Sequence, residues 1–233
     1  MFNALVLYKQ DNEKVSGKLE KINITDLPEG DVLVSINYST LNYKDSLALT
    51  SSSPIIKSFP MIPGIDFVGE VENTSNENFK VGDKVILNGY GVGEKHWGGM
   101  SQKARVKGNW LVKLPEKFDQ KQAITIGTAG YTAMLCVLTL EKNNITPGQG
   151  EILVTGATGG VGSIAISILS KLGYDVCASS GRKEHAEYLK SLGAKRVIDR
   201  KELSDKGRPL GKELWSGAID SVGSFTLANI CAT

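Results

Sequence analysis

Residues 152–162 read Ile152-Leu153-Val154-Thr155-Gly156-Ala157-Thr158-Gly159-Gly160-Val161-Gly162, and the fold turns on how this stretch is read. An apolar run of strand character meets Gly156, Gly159, Gly160 and Gly162, and a second apolar run, Ile164–Leu172, follows at once. A strand that turns on glycines into a helix presents unpaired backbone N–H groups and the positive end of the helix dipole, which together favour phosphate. Glycines also let the backbone approach a pyrophosphate, and Gly162 allows close helix–strand packing. Thr158, Gly159, Gly160, Val161 and Gly162 are therefore the candidate pyrophosphate contacts. The spacing departs from the simplest G-x-G-x-x-G pattern, so the alternative is a tight turn that binds nothing.

Outward from this loop the chain alternates. Glu151–Thr155, Tyr174–Ser179, Lys195–Asp199 and Ala218–Val222 read as strands. Ile164–Leu172 and Lys183–Leu192 read as helices, closed by Gly173 and Gly193. Gln122–Leu140 suits a helix interrupted near Gly127–Gly130. Alternating strands and helices predict an α/β sheet of parallel βαβ units. Upstream the pattern is different. Met1–Tyr8, Asp31–Tyr38, Ile65–Glu72, Lys84–Leu87 and Arg105–Val112 read as short strands between glycine turns, a β-rich barrel or sandwich. Asn73–Asn78 reads as a plain polar loop. The boundary falls near residue 120, giving domains 1–120 and 121–233.

The second predicted strand of this half runs into Val176-Cys177-Ala178-Ser179-Ser180-Gly181-Arg182-Lys183. It ends about 20 residues past the loop, where the adenosine ribose of a dinucleotide lies. An acidic residue there would bind both ribose hydroxyls and repel a 2′-phosphate. Here Ser180 and the Gly181 N–H can donate to that phosphate, and Arg182 can pair with it. The third strand ends at Arg200, a further cation on the same edge. The implied cofactor is NADPH rather than NADH; the alternative is that Arg182 and Lys183 are a solvated first helical turn.

Composition fits a globular chain. Of 233 residues 41% are hydrophobic and 22% charged, with 27 basic against 25 acidic side chains. That near balance argues against a nucleic-acid partner. Cys136, Cys177 and Cys231 are far apart, so they suggest neither a disulfide framework nor a metal site. Each is expected as a buried thiol in a reducing cytoplasm. The N-terminus lacks a basic start and a small-residue cleavage site, so no targeting segment is predicted. Two charge-free runs, Gln122–Leu140 and Ile152–Ser170, are long enough to raise a membrane span. Their internal glycines and polar residues favour a buried core.

Several stretches carry a resemblance: LNYKD (41–45), FPMIPGIDFVGEV (59–71), GYGVGEKHWGGMSQKARVKGNWLV (89–112), IGTAGYTAML (126–135), VTGATGGVGSIAI (154–166), SSGR (179–182), YLKSLGAKRVIDR (188–200) and AIDSVG (218–223). The chain resembles the medium-chain dehydrogenase/reductases, in particular the zinc-independent acrylyl-CoA reductase and quinone oxidoreductase type. The resemblance implies a GroES-like β-rich catalytic domain followed by a Rossmann domain. It also implies that the chain is C-terminally shortened, with the doubly wound sheet incomplete after the fourth strand.

Zinc-dependent relatives carry a cysteine where this chain has Asn42 and a metal-binding histidine where it has Ile65. His96 and His185 are the only histidines, and no metal is expected. His96 is expected as a positioned loop residue and His185 on a helix surface. The implied reaction is hydride transfer to the β-carbon of an enoyl thioester, with acrylyl-CoA as the leading substrate. Negative charge then develops on the carbonyl oxygen. Tyr43 is the candidate donor for that charge and for the later proton; the alternative is that it only contacts the nicotinamide ribose. Asn42 is the candidate for orienting substrate or cofactor. Lys44 reads as a solvated charge and Asp45 as a turn or cap. Thr128 carries over as a nicotinamide-side contact. Trp97 and Trp110 are expected to cap a core, with a place in the substrate cleft kept open for Trp97. Arg105 and Lys107 are unranked candidates for the phosphates of an acyl-CoA. The partner is a small molecule, acyl-CoA or quinone, with no membrane or nucleic acid and a homodimer left open. A quinone reductase, or a non-catalytic NADPH-binding protein, is the alternative function.

Overall fold

The computed structural model describes residues 1–10 and 14–233, and its contacts divide into two units, Met1–Thr128 and Ala129–Thr233. In the first, β1 (Phe2–Lys9) pairs antiparallel with β2 (Val15–Ile22). A five-stranded antiparallel sheet has the order β6-β3-β4-β5-β7. Its strands are β3 (Val32–Ser39), β4 (Asp66–Thr74), β5 (Lys84–Asn88), β6 (Lys103–Val106) and β7 (Val112–Lys113). The side-chain period of two puts Val32 and Val34, Val85 and Leu87, and Ala104 and Val106 into one core with Phe67 and Val71.

Two elements here were not anticipated. β2 is largely polar and pairs only with β1; its Leu19 is 77% exposed, so no apolar alternation marks it. The helix α1 (Tyr43–Thr50) buries only Asp45 and Ala48 and therefore has no apolar stripe to read. The expected strand Arg105–Val112 is corrected. It divides into β6, a 3-10 turn over Gly108–Trp110, and β7, because the Gly108 N–H is taken by Asp31 Oδ1 at 2.6 Å rather than by a strand. Asp31 Oδ2 also accepts from Asn76 Nδ2 at 2.8 Å. The polar loop after β4 is thus a clasp on the β3 entrance.

In the second unit, β8 (Glu151–Val154), β9 (Asp175–Ser180), β10 (Arg196–Asp199) and β11 (Gly217–Ile219) form a parallel sheet of order β10-β9-β8-β11. Ile152, Leu153 and Val154 are all fully buried, as expected of a strand covered on both faces. The helix α3 (Gly160–Lys171) starts at Gly160 rather than at Ile164 and joins β8 to β9. The expected helix Lys183–Leu192 divides into a 3-10 turn, Lys183–His185, and α4 (Ala186–Ser191). α5 (Ser224–Ala232) follows β11. The strand order reverses between β8 and β11, which is where such sheets hold ligands at their carboxyl ends.

The helix α2 (Gln120–Lys142) is interrupted at Gly127, whose φ of 49° and ψ of −159° leave the helical region. Among the described residues it is the one helix long and apolar enough to cross a membrane, but Ala133 and Val137 lie in the core of the second unit. The other charge-free run resolves into β8, the glycine turn and α3. The cysteines differ from expectation: Cys177 is buried, Cys136 half-buried and Cys231 exposed. Burial pushes the Cys177 thiol up to about 11.

Candidate functional site

In the second unit a cleft of about 200 Å³ opens at the carboxyl ends of β8 and β9. Thr155, Gly156 and Thr158 line one side, and Ser180, Arg182 and Arg200 another. α3 begins against this loop. A side chain at Gly162 would bring its Cβ to 2.5 Å from the Gly156 carbonyl oxygen, so only glycine lets the helix start this close to the strand. The first-turn N–H groups of Gly160, Val161 and Gly162 have no intrahelical acceptor, while Gly159 caps the helix with extended backbone.

The far wall is cationic. Ser180 is buried, and its Oγ accepts the Arg182 N–H at 3.2 Å, which fixes the turn that carries Arg182. The Arg182 guanidinium is exposed, 3.4 Å from His185 Nε2. Arg200 lies across Gly181: a Cβ at 181 would be 2.8 Å from Arg200 Nε. Among the described residues neither arginine makes an ion pair, and no acidic side chain lines the cleft. Two guanidiniums, the Ser180 hydroxyl and Gly181 thus line one edge of the cleft, a candidate anion site. The cradle that glycine leaves open and this donor set fit a phosphorylated dinucleotide.

Sequence reasoning missed Asp220, which orders the β11 side of the same loop. It accepts from the Thr155 hydroxyl in a short bond and from the N–H groups of Val222 and Gly223 at 3.2 and 2.8 Å. Ser221 Oγ closes the loop by donating to the Thr155 carbonyl at 3.1 Å. The AIDSVG stretch was the signal, without a role for its aspartate.

In the first unit, Tyr43 opens α1 and its side chain is 80% exposed. Asn42 precedes it, and Asp45 Oδ2 accepts the Asn42 N–H at 2.8 Å, so Asp45 is a cap residue. Burial holds the Asp45 carboxyl above the usual carboxylate range, with the nearby Asp66 charge adding to the effect. Lys44 is not merely solvated; it pairs with Glu94 at 2.7 Å. The Asn42 amide donates inward, to Thr40 Oγ1 at 2.9 Å and Asp66 Oδ2 at 3.3 Å. Thr128 joins the same group through its N–H, 2.9 Å from Asp66 Oδ2, and its hydroxyl accepts from Asn88 Nδ2 at 3.4 Å. Asn42 and Thr128 are therefore joined through Asp66, and Tyr43 follows Asn42 at the start of α1.

The remaining candidates are structural. Trp97 Nε1 donates to the Pro60 carbonyl at 3.0 Å, and the ring packs beside Phe2 and Ile62. His96 places both ring nitrogens near backbone carbonyls, those of Trp97 and Glu29. Arg105 donates to the carbonyls of Leu27 and Ile24, and the exposed Lys107 lies over the Trp110 ring. Among the described residues no group of three or more His, Cys, Asp or Glu side chains converges as for a metal.

The model of the alcohol dehydrogenase GroES-like domain matches residues 28–116. Acrylyl-CoA reductase AcuI of Ruegeria pomeroyi is 51% identical over 99% of this chain and 70% of its own length. The chain belongs to the medium-chain dehydrogenase/reductase family. Its fold is that of the family, α/β with a GroES-like first part. YhdH of Escherichia coli, solved with bound NADPH, superposes on this medium-chain dehydrogenase/reductase with a TM-score of 0.95 at 53% identity, covering 98% of this chain and 71% of that one. YhfP of Bacillus subtilis, provisionally named a quinone oxidoreductase and solved with NAD bound, superposes with a TM-score of 0.94 at 45% identity, over 99% and 70% of the two chains. One family branch thus includes structures with either nicotinamide, which makes the cationic wall the feature to test here.

Proposed function

We propose that this chain is an NADPH-dependent oxidoreductase that delivers hydride to the activated C=C of an enoyl thioester, reducing acrylyl-CoA to propionyl-CoA. The observation that carries the cofactor half of this reading is the wall formed by Ser180, Arg182 and Arg200, which among the described residues holds two guanidiniums outside any ion pair and no acid. The acrylyl-CoA reductase of Ruegeria pomeroyi, at 51% identity, supports the substrate half. NADPH supplies the hydride when bound. The glycine loop, through Thr158, Gly159, Gly160, Val161 and Gly162, holds the pyrophosphate; Ser180, the Gly181 N–H, Arg182 and Arg200 hold the 2′-phosphate.

In the first unit the exposed Tyr43 phenol donates to the thioester oxygen as negative charge builds there, and then supplies the proton that the α-carbon takes up. Asn42 fixes the turn from which Tyr43 projects, and Thr128 contacts the nicotinamide end. The near balance of charge and the free thiols support a cytoplasmic protein with a small-molecule substrate and no nucleic-acid partner.

The YhfP name favours a second reading, NADPH-dependent quinone reduction. Fluorescence titration with NADPH, followed by its oxidation in the presence of acrylyl-CoA or a quinone, tests both. Turnover with acrylyl-CoA is the expected result. Turnover with quinone alone supports the second reading, and tight binding with neither turnover overturns both in favour of a binding role.

A further inference from the structure

Asp66 has no part in the assignments above, yet among the described residues it is the most completely enclosed charged residue of the first unit. Its relative exposure is 0%, and a buried carboxyl group is costly unless several donors meet it. Three do. Thr40 Oγ1 donates to Oδ1 at 2.5 Å, and Asn42 Nδ2 and the Thr128 N–H donate to Oδ2 at 3.3 and 2.9 Å.

The Thr128 bond exists because α2 is broken one residue earlier. With Gly127 out of the helical region, the Thr128 N–H is diverted from the helix ladder onto Asp66. Gly127 is also what admits the carboxyl group, since a Cβ there would lie 3.2 Å from Asp66 Oδ2. The segment carrying Asn42 and Tyr43 and the segment carrying Thr128 therefore share one fixed anchor. Tyr43 itself is 80% exposed, so its position depends on the turn beneath it.

We infer that Asp66 is a positioning residue: by binding Thr40, Asn42 and the Thr128 N–H together it holds Tyr43 and Thr128 in the geometry that hydride and proton transfer require. This deepens the proposed function and rests on it for the identity of the reaction. A displacement on the order of 1 Å at a reacting group costs about 100-fold in rate, which sets the scale of the effect.

Three variants grade the clamp in the full chain. Asp66→Ala removes all three bonds. Asp66→Asn keeps a carbonyl for the Thr128 N–H and forfeits one acceptor, and Thr40→Val removes the hydroxyl that donates to Asp66 and accepts from the Asn42 amide, with Thr40→Ser as the conservative rescue. The expected result is faster amide hydrogen exchange at Thr128 and over residues 40–43, greatest in Asp66→Ala. With acrylyl-CoA, kcat falls about 10- to 100-fold and the isotope effect from deuterated NADPH rises, because hydride transfer becomes limiting. Affinity for NADPH falls less than kcat does, because the glycine loop, Ser180, Arg182 and Arg200 are untouched. Loss of folded protein alone would lower kcat without moving the isotope effect. If Asp66→Ala does not fold, Asp66→Asn and Thr40→Val decide. Wild-type exchange, kcat and isotope effect in both would overturn the inference. A wild-type chain that does not reduce acrylyl-CoA defeats the proposed reaction instead, and exchange at Thr128 then decides the clamp by itself.

Discussion

The two units build their candidate sites by opposite means. In the second, the ligand-facing surface is mostly backbone: the glycine turn, the first N–H groups of α3, and Gly181 beneath Arg200. In the first, the surface is a set of side chains and one N–H gathered on the buried Asp66. A backbone site is fixed by local sequence and tolerates little beyond glycine at a few places. A side-chain site is fixed by tertiary contacts, and its reacting group, Tyr43, sits at the outer edge of the construction.

The difference yields predictions of decreasing size. Tyr43→Phe removes one hydroxyl from an exposed ring, so stability should hold while kcat with acrylyl-CoA falls about 100-fold or more, the scale of a general-acid contribution. Steady-state kinetics beside a thermal melt read this. An unchanged kcat with weaker NADPH binding would assign Tyr43 to the ribose instead. Replacing Arg182 and Arg200 together with Ala should weaken NADPH binding about 10- to 100-fold, the scale of charge-assisted bonds of about 1.5–3 kcal/mol. NADH binding should be unaffected, as fluorescence titration would register. Gly162→Ala should destabilise the second unit by about 1–3 kcal/mol through forced overpacking against the Gly156 carbonyl, read as a lowered Tm. A tolerated alanine would mean that the helix start has room to shift.

The same contrast explains what the sequence could disclose. The loop from Ile152 to Gly162, the end of β9 at Ser180 and the end of β10 at Arg200 fall at the ends of consecutive strands, so spacing alone places them at one sheet edge. Asp66 finds its partners 26, 24 and 62 residues away. Nothing local marks it except an acid inside an apolar run. α1 was hidden for a related reason: its buried positions are Asp45 and Ala48, so the usual helical stripe is missing and the capping bond from Asn42 to Asp45 does the specifying. The expected strand over Arg105–Val112 failed because Asp31, far back in the chain, takes the Gly108 N–H. Arg105 looks like a free cation in one dimension, and only the structure shows its guanidinium donating to the Leu27 and Ile24 carbonyls.

The central claim is that Ser180, Arg182 and Arg200 choose the phosphorylated nicotinamide, although a relative with the same fold has been solved with NAD. The most direct test is a pair of equilibrium titrations of the wild-type chain at fixed ionic strength, one with NADPH and one with NADH. The account predicts NADPH tighter by about 10-fold or more, with the preference shrinking as salt rises. Equal dissociation constants, or a preference for NADH, would contradict it.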